Sequence, residues 1–158
     1  MATGVNNERW RNHLSIILIK DMQTDTKSIY LLYINALNAR SVESLPRFVH
    51  EQLSYNGTLI TCRAYQDMLL SDIRTFPDLH FTVDMLVVEE NTVACRLVFN
   101  CTPVETFLGF KPSGKKVRFS ENVFYKLREG RIYEVWSIID QAALAEQLQR
   151  ETAGADQH

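Results

Sequence analysis

Cysteine is scarce in this chain of 158 residues: Cys62, Cys95 and Cys101 are odd in number and form no CxxC pair. That argues against a disulfide framework. It reads as buried thiols in a reducing compartment, and the chain is expected in the cytoplasm. Histidine is nearly as sparse. His13, His50, His80 and His158 stand far apart and show no metal-ligand spacing, so no metal is expected. A glycine-rich phosphate loop is also missing, and with it the expectation of a nucleotide or other cofactor. Charge of one sign does not dominate. Lys and Arg number 17 against 19 Asp and Glu, a net charge of −2 with no basic stripe, which argues against nucleic acid as a partner. The apolar stretch Leu14–Ile19 is far too short to span a bilayer. The polar start MATGVNNERWRNH shows no secretory pattern, so no membrane association is expected, and the sequons at Asn56 and Asn100 read as accidents.

What is there suits one core. The length fits a single domain, and 46% hydrophobic with 23% charged residues is a globular balance. Such a chain can bury a core without disulfides or a structural metal. Trp10, Leu14, Ile17 and Leu18 recur at helical spacing over residues 8–23, making residues 1–24 an N-terminal helical extension. Asp25 reads as the N-cap of a helix to about Asn38, whose IYLLYINAL is apolar nearly all round, as for a helix buried on more than one side. Ser41 or Ser44 caps a brief helix through Phe48, with Pro46 restricting its start. A short strand, Glu51 to Tyr55, ends at the turn signal Asn56-Gly57. Tyr65, Met68, Leu69, Ile73 and Phe76 form a helical stripe over 61–76, stopped by Pro77.

From there the pattern turns to strands. Residues 79–89 and 92–105 are joined by Glu89-Glu90-Asn91, and strand 116–127 follows a loop with Lys111-Pro112-Ser113-Gly114. Arg128-Glu129-Gly130 turns into strand 131–139, QAALAEQLQR closes as a helix, and 151–158 read as a disordered tail. Helices first, then a run of long antiparallel strands, is the α+β order, here over residues 25–150.

Several segments carry a family likeness: TFPDLHFTVDMLVVEENTVACRL, ETFLGFKPSGKKVRFSENVFYKLREGRIYEVWSIID, the closing AALAEQL, and YINALNARSVESL in the first half. Within them stand Phe76-Pro77-Asp78-Leu79, Phe107-Leu108-Gly109, Pro112-Ser113-Gly114-Lys115, and Gly130-Arg131-Ile132 with Glu134, Trp136 and Asp140 behind it. Over roughly residues 28–147 the chain resembles the SnoaL-like polyketide cyclases of the nuclear-transport-factor-two-like superfamily. The resemblance implies a cone-shaped, curved antiparallel sheet packed on N-terminal helices, commonly in homodimers. It also implies acid–base catalysis on small molecules without cofactors. The namesake enzymes close rings by intramolecular aldol reactions, and relatives in fungal meroterpenoid and alkaloid pathways isomerise or rearrange skeletons. Such a fold fixes a scaffold more firmly than a reaction. Members often carry histidine where Tyr55, Pro103 and Val135 stand here, and aspartate where Val123 stands, so the site must be built from other polar residues.

Strand 116–127 is the most informative stretch. Val117, Phe119, Glu121, Val123, Tyr125 and Leu127 share its core face; Arg118, Ser120, Asn122, Phe124 and Lys126 share the other. A carboxylate among apolar neighbours has its pKa raised by desolvation, which suits Glu121 to acid–base duty near neutrality. If the sheet bulges instead, Glu121 is an interface or solvent residue. Tyr55, at its strand's end, suits donation to a developing enolate oxygen; the alternative is a core tyrosine with its hydroxyl at the rim. Tyr30 and Tyr33 are candidates to project into the cone, with packing the default. Arg40 and Arg96 are candidate anchors for an acidic substrate, although Arg96 sits on its strand's polar face and Arg40 at a helix end, where a cation suits the dipole. His80 points away from the core, and Asp140 reads as the N-cap of the last helix. Glu134 and Trp136 share a face with Ile132 and Ile138, opposite Val135 and Ser137; which face lines the cone is open.

Two functions follow. One is a cyclase or isomerase in which Glu121 shuttles a proton, Tyr55 holds the oxyanion, and Tyr30, Tyr33, Arg40, Leu97, Phe99, Phe119, Val123 and Ser137 receive a small hydrophobic polyketide, terpenoid or alkaloid intermediate. The other is a carrier that shields a hydrophobic metabolite unchanged, which the missing family histidines favour.

Overall fold

The computed structural model describes residues 25–155, with side chains as far as residue 148. The helix expected over residues 8–23 lies outside them. Helix α1 spans residues 25–38 and leads through a 3-10 helix, Val42–Arg47, into strands β1, Val49–Tyr55, and β2, Thr58–Thr61. Helix α2, Cys62–Thr75, precedes β3, Thr82–Glu89, β4, Thr92–Cys101, β5, Val117–Arg128, and β6, Arg131–Ile139. Helix α3, Gln141–Ala155, continues past residue 150, where the sequence placed the start of a disordered tail. No helix among the described residues is long and apolar enough to cross a membrane.

The α+β order is the one expected. In α1, Tyr30, Tyr33, Ile34 and Leu37 are buried at helical spacing, but Leu31 and Leu32 are exposed, so one face packs rather than the whole circumference. The helix stops at Arg40, whose φ of 63° breaks the ladder while Ser41 N–H donates back to Ala36. Ser41 precedes the 3-10 helix without a side-chain capping bond; the Ser44 hydroxyl instead donates to the Ser41 carbonyl. Asn56 and Gly57, with φ of 48° and 81°, make the two-residue turn into β2. Strand β2 was not foreseen, since its exposed TLIT lacks alternation. Thr61 ends it and caps α2, its hydroxyl oxygen accepting from Ala64 N–H at 3.1 Å.

The sheet is six-stranded, curved and unclosed, in the order β2-β1-β6-β5-β4-β3. Neighbours are antiparallel, as expected, except β1 and β6, which run parallel. The helices cover the inner face, which carries Val93, Cys95, Leu97 and Phe99 from β4 and Val117, Phe119, Val123 and Tyr125 from β5. All three cysteines are free and buried. Beyond the end of β6, the Gln147 side chain of α3 bonds both the N–H and the carbonyl of Arg118, completing the β5 edge as a strand would. Asp140 caps α3 through Ala143 N–H at 3.0 Å.

A bulge in β6 decides which side chains face inward. Lys126 pairs with Glu134 but Leu127 pairs with Ile132, leaving Tyr133 as the extra residue. Ile132 is therefore buried, Val135 and Ser137 lie on the inner face, and Glu134, Trp136 and Ile138 lie outside. Uninterrupted alternation had grouped Ile132 with the outer three. Along the outer face, Val87, Ala94, Phe124 and Trp136 stand opposite one another across four strands, and all but Ala94 are exposed large hydrophobics.

Candidate active site

One cavity brings polar chemistry into the core. It measures about 50 Å³ and lies between the inner face of α2 and the sheet. Tyr65, Met68, Leu69 and Asp72 enter it from α2; Tyr55, Glu121, Val123, Tyr125 and Val135 from the sheet; Tyr33 and Phe81 complete the wall. That volume holds a few waters. Met68, 38% exposed, is its most open wall residue and marks the mouth.

Glu121 sits in the middle of β5, flanked on the inner face by Phe119 and Val123. It accepts a short hydrogen bond from the Ser137 hydroxyl on β6, which Asn56 fixes through both polar atoms of its peptide. Burial raises the Glu121 pKa, while the Ser137 hydrogen bond opposes the rise by favouring the charged form. The Tyr55 hydroxyl lies within reach of the Ser137 side chain, and burial raises its pKa, so it is a neutral phenol able to donate. Behind them, Tyr33 and Tyr65 hydrogen-bond hydroxyl to hydroxyl at 2.8 Å, and burial holds the phenols of Tyr33, Tyr65 and Tyr125 well above their ordinary range.

The sequence reading missed a second carboxyl group. Asp72 faces the same cavity, and burial, then the charge of Glu121, pushes its pKa up to about 6. A signal was available: Asp72 follows Tyr65, Met68 and Leu69 by seven, four and three residues, which places it on the same helical stripe.

The other candidates divide. Tyr33 and Val123 line the cavity with Tyr55 and Glu121, and Ser137 supports Glu121 from β6. Tyr30 does not line it. It is fully buried, its hydroxyl beside the Cys95 thiol and the Tyr125 hydroxyl. Phe99 and Phe119 stack on each other with centroids 5.1 Å apart, and Phe81 and Phe76 extend the cluster at 5.5 and 5.9 Å. Leu97 is buried beside them, outside the cavity wall. Arg40 is not in the cavity either: its guanidinium donates to the carbonyls of Pro77 and Leu79 at 3.2 and 2.6 Å and pins the segment after α2. Arg96 pairs with Asp84 at 2.8 Å on the exposed face, and His80 points to solvent. Among the described residues, no three His, Cys, Asp or Glu side chains converge to hold a metal.

Comparison with known proteins adds family information to this geometry. The sequence profile of the SnoaL-like polyketide cyclases matches residues 27–148. A SnoaL-like polyketide cyclase from Agrobacterium tumefaciens is 36% identical, with 78% of this chain and 97% of that one aligned and a TM-score of 0.75. Two further structures share the fold. IdmH, a putative polyketide cyclase from Streptomyces antibioticus, is 23% identical over 78% of this chain and 98% of its own, TM-score 0.70. AclR, a putative hydroxylase from Streptomyces galilaeus, is 20% identical over 81% and 98%, TM-score 0.69. No curated protein matches the chain.

Proposed function

The chain belongs to the SnoaL-like polyketide cyclase family, and from that premise we propose that it is a cofactor-independent cyclase or isomerase of a small hydrophobic natural-product intermediate. Family membership supports the cyclase or isomerase role; the polyketide, meroterpenoid or alkaloid substrate and the acid–base route are our inference. The observation that carries it is Glu121, a buried ionisable group held by Ser137 and facing a cavity. Such a carboxylate removes a proton from carbon beside a carbonyl, and the Tyr55 phenol donates to the enolate oxygen that develops. The burial of the cavity keeps water from the enolate. A substrate larger than this cavity enters by displacing Met68, whose unbranched side chain moves readily.

The outer sheet face supports a homodimer. Val87, Phe124 and Trp136 form a band across the strands with Met85 and Ile138 beside it, a run of exposed apolar side chains suited to a second copy. The free thiols agree with a cytoplasmic setting.

The test uses a small enolisable ketone, cyclohexanone, and follows deuterium exchange at its α-carbons. The wild type exchanges the label, also after exhaustive EDTA treatment. Glu121→Gln lowers the rate by about 10² to 10⁴ while the melting temperature holds or rises. Normal exchange in Glu121→Gln removes Glu121 as the base. The absent family histidines at Tyr55, Pro103 and Val135 favour a second reading, a carrier. It predicts no turnover of any intermediate, while hydrophobic ligands still raise the melting temperature.

A further inference from the structure

Asp72 and Glu121 reach one cavity from opposite walls, the first from α2 and the second from β5. Among the described residues, every other side chain in the wall is apolar or phenolic, and none is Lys, Arg or His. The titratable groups facing Asp72 are Tyr33 from α1, Tyr65 from its own helix, Tyr55 from β1, and Glu121 and Tyr125 from β5. With no cation to offset them, two carboxylates in so small a space cannot both ionise cheaply, so the pair holds one proton between them as neutrality is approached from the acid side.

Hydrogen bonding decides which group keeps the proton. Glu121 accepts from Ser137, an arrangement that favours its charged form. Among the described residues nothing donates a hydrogen bond to the Asp72 carboxyl, which leaves that group better suited to hold the proton. We propose that Asp72 is the general acid of this site, donating a proton from α2 to the substrate while Glu121, from β5, removes one. The proposal rests on the reading of Glu121 as the base.

The proton balance closes without a co-reactant. Glu121 takes hydrogen from carbon beside a carbonyl, and the C–H electron pair passes into an enolate. In a ring closure the enolate carbon bonds to a second carbonyl carbon of the same molecule, whose oxygen takes the Asp72 proton and becomes a hydroxyl. In a double-bond shift the Asp72 proton goes to the far carbon of the enolate system. Either way Glu121 ends protonated and Asp72 ionised, and transfer of the proton from Glu121 back to Asp72 restores the pair. The substrate class implied is an enolisable carbonyl compound with a second proton-accepting atom across the cavity.

The experiment has two arms. Carbon-13 NMR of protein labelled at the Asp and Glu carboxyl carbons follows titration directly, in the wild type and in Asp72→Asn and Glu121→Gln. Asp72 should titrate near 6, and its midpoint should fall by about one unit or more in Glu121→Gln, once the neighbouring charge is gone. An Asp72 midpoint in the ordinary carboxylate range, or one that Glu121→Gln does not move, overturns the shared proton. The second arm follows intramolecular aldol closure of heptane-2,6-dione across pH, a diketone whose second carbonyl oxygen takes the Asp72 proton. Asp72→Asn should slow closure about 10²-fold or more and remove the alkaline limb of the profile, with Asp72→Glu restoring part of both. Unchanged closure and an unchanged limb in Asp72→Asn overturn Asp72 as the acid and leave Glu121 standing. Normal deuterium exchange into cyclohexanone by Glu121→Gln brings down the base assignment instead.

Discussion

Asn56 grips the peptide of Ser137 at both of its polar atoms: its Oδ1 accepts from Ser137 N–H at 2.8 Å, and its Nδ2 donates to the Ser137 carbonyl at 3.2 Å. Asn56 belongs to the turn that ends β1, so a turn residue fixes the hydroxyl that holds Glu121. Its φ of 48° suits asparagine and glycine better than other residues. Asn56→Gly keeps the turn and loses the grip, at a cost of about 1–2 kcal/mol by denaturant melting. Exchange activity should fall further than that loss of stability explains. Asn56→Ala adds the strain of the turn and should be the less stable of the two.

Stability should depend on pH through Asp72. Its folded pKa of about 6 lies above the unfolded value near ~3.9, so the folded state binds this proton more tightly. The contribution is fully present below pH ~4 and is lost as pH rises to about 6, because the unfolded chain ionises first. Glu121, also raised, acts in the same direction. Asp72→Asn should therefore be more stable than the wild type at pH 7, by on the order of 1–2 kcal/mol, with the difference closing near pH 4. Melting temperatures across that range check it; a constant difference would show that Asp72 is not perturbed.

The outer face gives a prediction independent of the cavity. Phe124→Lys combined with Trp136→Glu places charge in the apolar band without touching the inner wall. Sedimentation should show the wild type as a dimer at micromolar concentration and the double variant as a monomer with its circular dichroism intact. A monomeric wild type would count against the interface.

Arg40 provides a check on the boundaries of the site. Arg40→Ala removes its bonds to the Pro77 and Leu79 carbonyls and should cost about 2–3 kcal/mol. The KM for an acidic ketone should stay unchanged. A rise in KM for acidic but not neutral ketones would return Arg40 to the substrate.

The sequence disclosed some faces of this fold better than others. The alternation along β5 placed Glu121 among inward residues because the strand runs from Val117 to Arg128 without interrupting its pairing to β4. The same reasoning failed on β6, since the bulge at Tyr133 shifts parity midway and leaves no mark in hydropathy. Asp72 was overlooked because a stripe search collects apolar residues, and a carboxyl on the stripe interrupts that pattern. Phe99 and Phe119 faced inward as expected, but stacking filled the space they were thought to line. The long-range bonds of Arg40 and Asn56 span 39 and 81 residues, distances at which local spacing carries no signal.

The extra residue at Tyr133 has a consequence for how this protein can change. Between Gly130 and Glu134 the hairpin is one residue longer than regular pairing requires, and the guanidinium of Arg128 lies 4.8 Å above the Tyr133 ring. Deleting Tyr133 would regularise the hairpin, because Ile132 inside and Glu134 outside would then alternate without a break while Lys126 still paired with Glu134. Trp136 would stay in the outer band and Ser137 beside Glu121. Length can therefore change at this one position without harm, whereas removing Val135 would turn Trp136 inward and Ser137 outward, striking the support of Glu121 and the outer band together.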